Sequence, residues 1–402
     1  MATIGETLGP PRERIDPLRW VRQNLFNSWY NGLLTLLALA LLAALLRSVL
    51  TWALSQADWA VVAVNLRLLM VGTFPSEQIW RVWLCVLLAA TLLGLSWGLW
   101  PNVARAVGAA ACAASFLLAL LPFAPTSRGL LALCGALILG GMIAGRRLSI
   151  PRADGTGRRA GAWVAGAWLL LLPLVIYLLR GGLVLPAIPT SRWGGLLLTL
   201  LLAIVAIVFS FPLGVLLAIG RRSSLPVIRL FCTLYIELIR GVPLITVLFM
   251  MQIMLPLFVP GGESIDNVAR AMVGFTIFTA AYIAENVRGG LQAIPRGQEE
   301  AARALGLNPL LTMGMIVLPQ ALRIVIPANV GQFISLFKDT SLVAVAGLLD
   351  LLGIARSVLA QSEFLGRQSE VLLFVALVYW VFAYSLTYVS RRLEEALGVG
   401  QR

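Results

Sequence analysis

The sequence predicts an all-α membrane protein of about ten transmembrane helices. Three observations predict it. Of 402 residues, 59% are hydrophobic and only 12% charged; the mean hydropathy is +0.90; and apolar runs of about 20 residues, enough to cross a bilayer as a helix, recur along the chain. An ordinary soluble domain carries roughly twice that charged fraction. Backbone N–H and C=O groups find no water in hydrocarbon, so each run must satisfy them internally, as a helix does.

The runs lie at about 31–50, 82–100, 103–122, 129–145, 162–180, 194–219, 227–258, 268–287, 341–356 and 371–390, the seventh broken near Gly241 and Pro243. The first is too long and begins too late for a cleaved signal peptide. Short loops rich in Arg and Lys stay cytoplasmic. With both termini inside, 22 of the 31 basic residues fall on the inner side or at its border, including Arg12, Arg14, Arg146, Arg147, Arg152, Arg221, Arg222, Arg391 and Arg392. The net charge of +13 is then explained by a basic inner face against anionic lipid, without nucleic acid.

Between Arg288 and Asp339 the chain mixes polar and apolar residues with Pro295, Gly297, Gly306, Pro309, Pro319 and Pro327. That punctuation predicts one long excursion on the inner side. The expected organisation is an N-terminal cytoplasmic segment (1–30), an apolar five-helix extension (31–182), a five-helix core (183–395) with the excursion's helical knob at about 297–317, and a short cytoplasmic tail (396–402). Strings such as Gly108 to Ala114 suit close helix packing in the extension.

Residue inventory excludes much chemistry. There is no histidine, and Lys338 is the single lysine. A phosphate-cradling loop needs Gly-Lys-Ser/Thr, whereas Lys338 lies between Phe337 and Asp339. Cys85, Cys112, Cys134 and Cys232 stand singly in apolar runs and read as small core residues, with no metal site.

Gln298, Glu299 and Glu300 follow Pro295 and Gly297, the composition of a helix start with acidic groups near exposed N–H ends. Ala301, Ala302, Ala304 and Leu305 favour helix, Gly306 suits the residue that leaves it with positive φ, and Asn308 and Pro309 can cap and start a second short helix. The product is a compact, rigid, small-faced helix–turn–helix knob, which either suits a groove on another protein or is a short amphipathic helix of the kind any cytoplasmic loop can hold.

Further polar residues carry two readings each. Glu237 and Arg240, before the Gly241–Pro243 break, either pair with each other near the inner interface or flank a polar cavity. Met251, Gln252 and Thr276, with Thr279, Tyr282 and Asn286 on one helical face, suit either an amino acid's α-carboxylate and α-ammonium or contacts between packed spans. Glu285, near Arg288, reads as a salt-bridged gate or docking support. Lys338 and Asp339, with Thr340 and Ser341, open the penultimate span either as a capped helix start or as part of an inner gate.

Glu300-Ala301-Ala302, three residues, Gly306, nine residues, Ile316, one residue, Leu318-Pro319 reproduces the EAA signature, and the chain here resembles the membrane permeases of bacterial ABC importers. Ile236–Phe249, Ala281–Gln298, Leu318–Pro327 and Phe337–Leu342 are similar to the polar amino-acid branch. The front half, with Trp20–Phe26 and Leu33–Leu37, is similar to the extended M-type subunit of general and acidic amino-acid systems. The resemblance implies a type I importer permease core and no catalytic site in this chain. It also implies that Glu300, Ala301, Ala302, Gly306, Leu307, Pro309, Leu318 and Pro319 form a coupling element fitting an ATPase cleft. Expected partners are a second, Q-type permease, two ATP-binding subunits holding ATP and Mg, and a periplasmic amino-acid-binding protein, at a bacterial inner membrane. Asn286 departs from the family's usual aliphatic residue.

Overall fold

The computed structural model describes residues 17–121, 124–149, 156–182, 184–258 and 265–398; Arg12, Arg14 and Arg152 lie outside them. Among the described residues the secondary structure is helical, apart from one isolated bridge between Gly195 and Asp350. The chain divides into two compact units, Met1–Ala60 and Val61–Arg402.

The first unit holds a short helix, α1 (Pro17–Asn24), and α2 (Trp29–Thr51), which runs through a π-turn to Gln56. Ser28 caps α2 by accepting from the Asn31 N–H, and no residue of α2 is buried. A helix apolar on all sides and unpacked by protein is one suited to lipid.

The second unit takes in α3 (Ala60–Val71) from its second residue onward, then α4 (Ile79–Leu99), α5 (Pro101–Ala119), α6 (Pro125–Ser149) and α7 (Thr156–Arg180). Small residues set the spacing of α4 and α6. A methyl group on Gly141 would sit 2.8 Å from the Thr91 carbonyl oxygen, and one on Gly98 would meet the backbone of Gly145 at 2.7 Å. The two backbones therefore touch, as small-residue interfaces in membranes allow. Gly108, in the string singled out from the sequence, packs instead against the Trp97 ring.

The core region follows: α8 (Gly195–Arg221), α9 (Pro226–Arg240), α10 (Leu244–Phe249), α11 (Leu255–Phe258), α12 (Asn267–Ala293), α13 (Arg296–Ala304), α14 (Pro309–Leu311), α15 (Leu318–Asp339), α16 (Leu351–Leu359) and α17 (Gln368–Leu397). One buried cluster joins α8, α9, α12 and α15 through Leu217, Ile236, Ile283, Val287, Val317 and Val325. Another joins α8, α10 and α12 to the extension through Val71, Phe74 and Leu179.

Eight helices among the described residues are long and apolar enough to cross a membrane, or nine if the pair Pro226–Arg240 and Leu244–Phe258 forms one span. That pair bends by 108°, at the Gly241–Pro243 break expected from the sequence. Ala104–Ala119 is a shorter apolar helix, where the sequence suggested a span over 103–122.

Two expectations fail together. The excursion over 288–339 is confined to Ile294–Asn308, because Pro309–Ala346 forms one 38-residue apolar helical stretch. Its prolines are placed where they do least harm. Pro309 occupies a first-turn position, where the N–H is unpaired anyway, and Pro319 follows directly on a π-helical segment, Thr312–Val317, that runs into α15. Pro327 lies inside α15, a position that membrane helices tolerate. The span expected at 341–356 is consequently absent: Thr340–Ala346 is a 3-10 turn closing at Gly347 (φ 72°), and α16 has only nine residues, about 14 Å of helix.

Candidate functional site

The segment expected to couple is built from its own sequence. Arg296–Ala304 is helical behind Pro295, with Glu299 in the first turn and Arg303 in the last, charges matched to the helix dipole. At its end the Gly306 N–H donates to the Arg303 carbonyl (2.9 Å) and the Leu307 N–H to the Ala302 carbonyl (3.1 Å). These two bonds with Gly306 at φ 80° are a Schellman closure. Asn308 then accepts from the Leu311 N–H at 2.9 Å, and Pro309 begins the next turn.

Exposure separates the segment's two faces. Ala302 is buried, packing the helix toward the π-helical Thr312–Val317. Leu305 and Leu310 are 83% and 84% exposed, and Glu300, Ala301, Gly306 and Pro309 are exposed as well. Leu307 and Leu318 are half-buried and Pro319 is exposed. Glu299 ties the segment to the end of α8 through Arg222 at 3.0 Å, with Arg303 at 4.0 Å.

Beside this segment lies a charge cluster. Glu285 on α12 receives Arg288 from its own helix, Arg221 from α8 at 3.4 Å and Arg240 from α9 at 3.5 Å. Arg221 also reaches Glu237 at 2.8 Å. The within-helix pair expected between Glu237 and Arg240 is thus replaced by two pairs between helices. The 108° bend follows directly after Arg240, and Arg240 lies 5.7 Å over the Tyr282 ring, within cation–π range. The five side chains link three helices and carry one net positive charge.

The stripe Thr279–Tyr282–Asn286 packs among the helices, with its polar groups unevenly matched. Thr279 is fully buried, its hydroxyl without a partner. Tyr282 packs on Phe278 at 4.9 Å. The Asn286 amide donates to the Asn329 side chain at 3.1 Å, joining α12 to α15. Thr276 donates to the Met272 carbonyl at 2.7 Å. Gln252 donates to the Asn267 carbonyl at 2.9 Å, and Met251 packs against Gly274.

Lys338 and Asp339 do not open a helix. They end α15, where Thr340 and Ser341 donate back to the Phe337 and Lys338 carbonyls at 2.7 and 2.8 Å. Some 20 residues of helix, about 30 Å, separate them from the coupling segment, so they are not at the mouth beside it. Nothing in the sequence pattern singled out the buried Arg81, which donates from Nε to Gln78 at 2.9 Å and from Nη1 to the Pro186 carbonyl at 3.0 Å.

Residues 210–399 match the family of binding-protein-dependent transport system inner membrane components. An inner membrane amino-acid ABC transporter permease of Escherichia coli, YhdY, is 37% identical over 95% of this chain and 93% of its own length. The permease BztC of a glutamate/glutamine/aspartate/asparagine transport system of Rhodobacter capsulatus is 35% identical over 98% of this chain and 97% of its own. A crystal structure of an amino acid ABC transporter with histidines is 31% identical, covering 50% of this chain and 92% of that one at a TM-score of 0.45. With likeness running through extension and core alike, this chain belongs to the amino-acid ABC transporter permeases and is a membrane-spanning subunit of such an importer.

Proposed function

We propose that the chain forms half of an amino-acid translocation pathway and takes its power from a separate ATPase gripped at Ile294–Val317. The observation that carries this reading is the coupling segment itself. A short helix closed rigidly at Gly306 leaves Leu305 and Leu310 more than four-fifths exposed, while Glu299 and Ala302 fasten it to the transmembrane helices. Exposed leucines on a rigid, charge-rimmed knob suit an apolar cleft on another protein.

Motion of the knob reaches α8 through Glu299–Arg222, and Arg221 passes it to the cluster around Glu285. That cluster holds α8, α9 and α12 together beside the 108° bend, where rearrangement of ion pairs would switch which mouth of the pathway is open. A second, Q-type permease supplies the other half, two ATP-binding subunits hold ATP and Mg, and a periplasmic binding protein delivers substrate. Both termini and the knob then face the cytoplasm of a bacterium, and membrane lipid covers the outside. Glutamate, glutamine, aspartate and asparagine are the first substrates to test, because the Rhodobacter relative is named for them.

The four cysteines are all buried, so Leu310→Cys supplies a single accessible thiol. In the co-expressed complex, a thiol crosslinker at that position should capture the ATPase. An assembled complex with no capture would defeat the coupling role.

A further inference from the structure

The far end of the molecule carries a cavity that the coupling mechanism does not use. It encloses about 550 Å³, within the range of small-molecule sites. The N-terminus of α8, the N-terminus of α12 and the C-terminus of α7 meet around it. The coupling segment follows the opposite end of α12, 27 residues away, or about 40 Å. The extension supplies Thr73 and Arg180, and the core supplies Thr190, Trp193, Asp266 and Leu349 among others.

The wall is held in place by the extension. Arg81, fully buried, grips the carbonyls of Leu178 and Pro186. The Ile188 N–H returns to the Arg180 carbonyl at 2.7 Å, folding that loop back on itself. Gly72 lies so close to Gly194 that a methyl group would meet its Cα at 2.6 Å. On the core side the Gly195 N–H donates to the Leu349 carbonyl at 3.0 Å.

The chemistry of the lining is two-signed. Arg180 brings a guanidinium with no carboxylate partner among the described residues. Asp266 stands among the other lining groups: one oxygen caps α12 by accepting from Val268 and Ala269, and the other accepts from Thr190. A carboxylate has about four acceptor sites, so one is left over. Trp193 is 4% exposed, and its indole N–H has no partner. A buried donor left unpaired is costly, and a ligand acceptor is one way to satisfy it.

We infer that this cavity receives the amino-acid zwitterion on the outer side, Arg180 facing its α-carboxylate and Asp266 its α-ammonium, and that the extension exists in part to build that wall. The inference rests on the importer reading for the side from which substrate arrives. Charges of both signs favour a zwitterion over a simple anion or cation.

The test uses the whole complex in nanodiscs without binding protein, titrated with labelled glutamate and glutamine, their α-amides and their N-acetyl derivatives. Wild type should prefer each amino acid over both derivatives by at least tenfold. Arg180→Gln should erase the preference against the α-amide alone. Asp266→Asn, which keeps a capping oxygen, should erase the preference against the N-acetyl compound alone. A fold defect would lower all affinities together and could not produce that crossed pattern. Preferences that survive in both variants overturn the inference. So does a wild-type complex that binds no amino acid while importing normally with its binding protein. A wild-type chain that assembles with no ATPase would instead defeat the importer reading.

Discussion

Replacing Gly306 with alanine isolates the geometry of the coupling knob. The residue sits at φ 80°, and a methyl group there would meet no atom within 4 Å, so the whole cost is conformational. An L-residue in the left-handed region costs about 1–2 kcal/mol. If the turn yields instead, the two closing bonds to Arg303 and Ala302 are lost, each worth about 1 kcal/mol net. Either route shifts the balance between closed and frayed knob by a factor of about 5–30. Amide hydrogen exchange at Leu305 to Leu307 should quicken by that factor in the assembled complex. Amino acid imported per ATP hydrolysed in proteoliposomes should fall, because the ATPase then moves a knob whose far end gives way. Gly306→Asn, which tolerates this conformation better, should be milder. Gly314→Ala is the control: that glycine also has open space around it but no positive φ, and it should change neither readout. Wild-type exchange and coupling in Gly306→Ala, or equal damage in Gly314→Ala, would refute the reasoning.

Three further outcomes are expected. Glu285→Gln leaves Arg221, Arg240 and Arg288 facing one another without their shared anion; at 23% side-chain exposure the loss is about 1–2 kcal/mol, read as a lower unfolding midpoint that Glu285→Gln/Arg288→Gln partly restores. Gly72→Ala combines a positive φ with a methyl 2.6 Å from Gly194 and should cost roughly 2–5 kcal/mol, seen as proteolytic release of the segment around Thr73. Asp350, in the connection between the last two spans, has its carboxyl pushed above the usual range by burial, against the opposing N–H groups of Gly353 and Leu352 and the Tyr379 hydroxyl. The fold therefore holds this proton more tightly than the unfolded chain. Its stabilisation is present at acidic pH and lost as pH rises through the raised value, so, as pH rises from below the ordinary carboxylate range, the thermal midpoint should fall by more in wild type than in Asp350→Asn.

What the sequence disclosed was local. The caps at Asn308 and Pro309, the closing glycine at 306 and the break before Leu244 are dictated within a few residues, and each stands where expected. The misreadings concern partners far along the chain. Proline count argued against immersion of Pro309–Ala346, yet Pro309 starts the stretch and Pro319 sits just after a π-helical turn within it, an arrangement visible only once the helix exists. Glu237 and Arg240 are neighbours on one helix, but Arg221 and Glu285 from other helices offer closer matches. Asn286 finds Asn329 across 43 residues of sequence, and nothing near either residue announces the other. Arg81 would pass as another interfacial arginine, because the carbonyls it grips, of Leu178 and Pro186, lie about a hundred residues downstream.

Where Gly94 and Gly98 lie against Gly141 and Gly145, no side chain stands between the two backbones. Sliding one helix along the other would drive carbonyl oxygens into opposing chain at once, so α4 and α6 are obliged to travel as a single bar. Bars of this kind hold a fixed frame while neighbours tilt. On the coupling proposed above, a stroke begun at the knob would be taken up by the looser helices around the bend after Arg240, and even alanine at one of those four glycines would pry the bar open along its length.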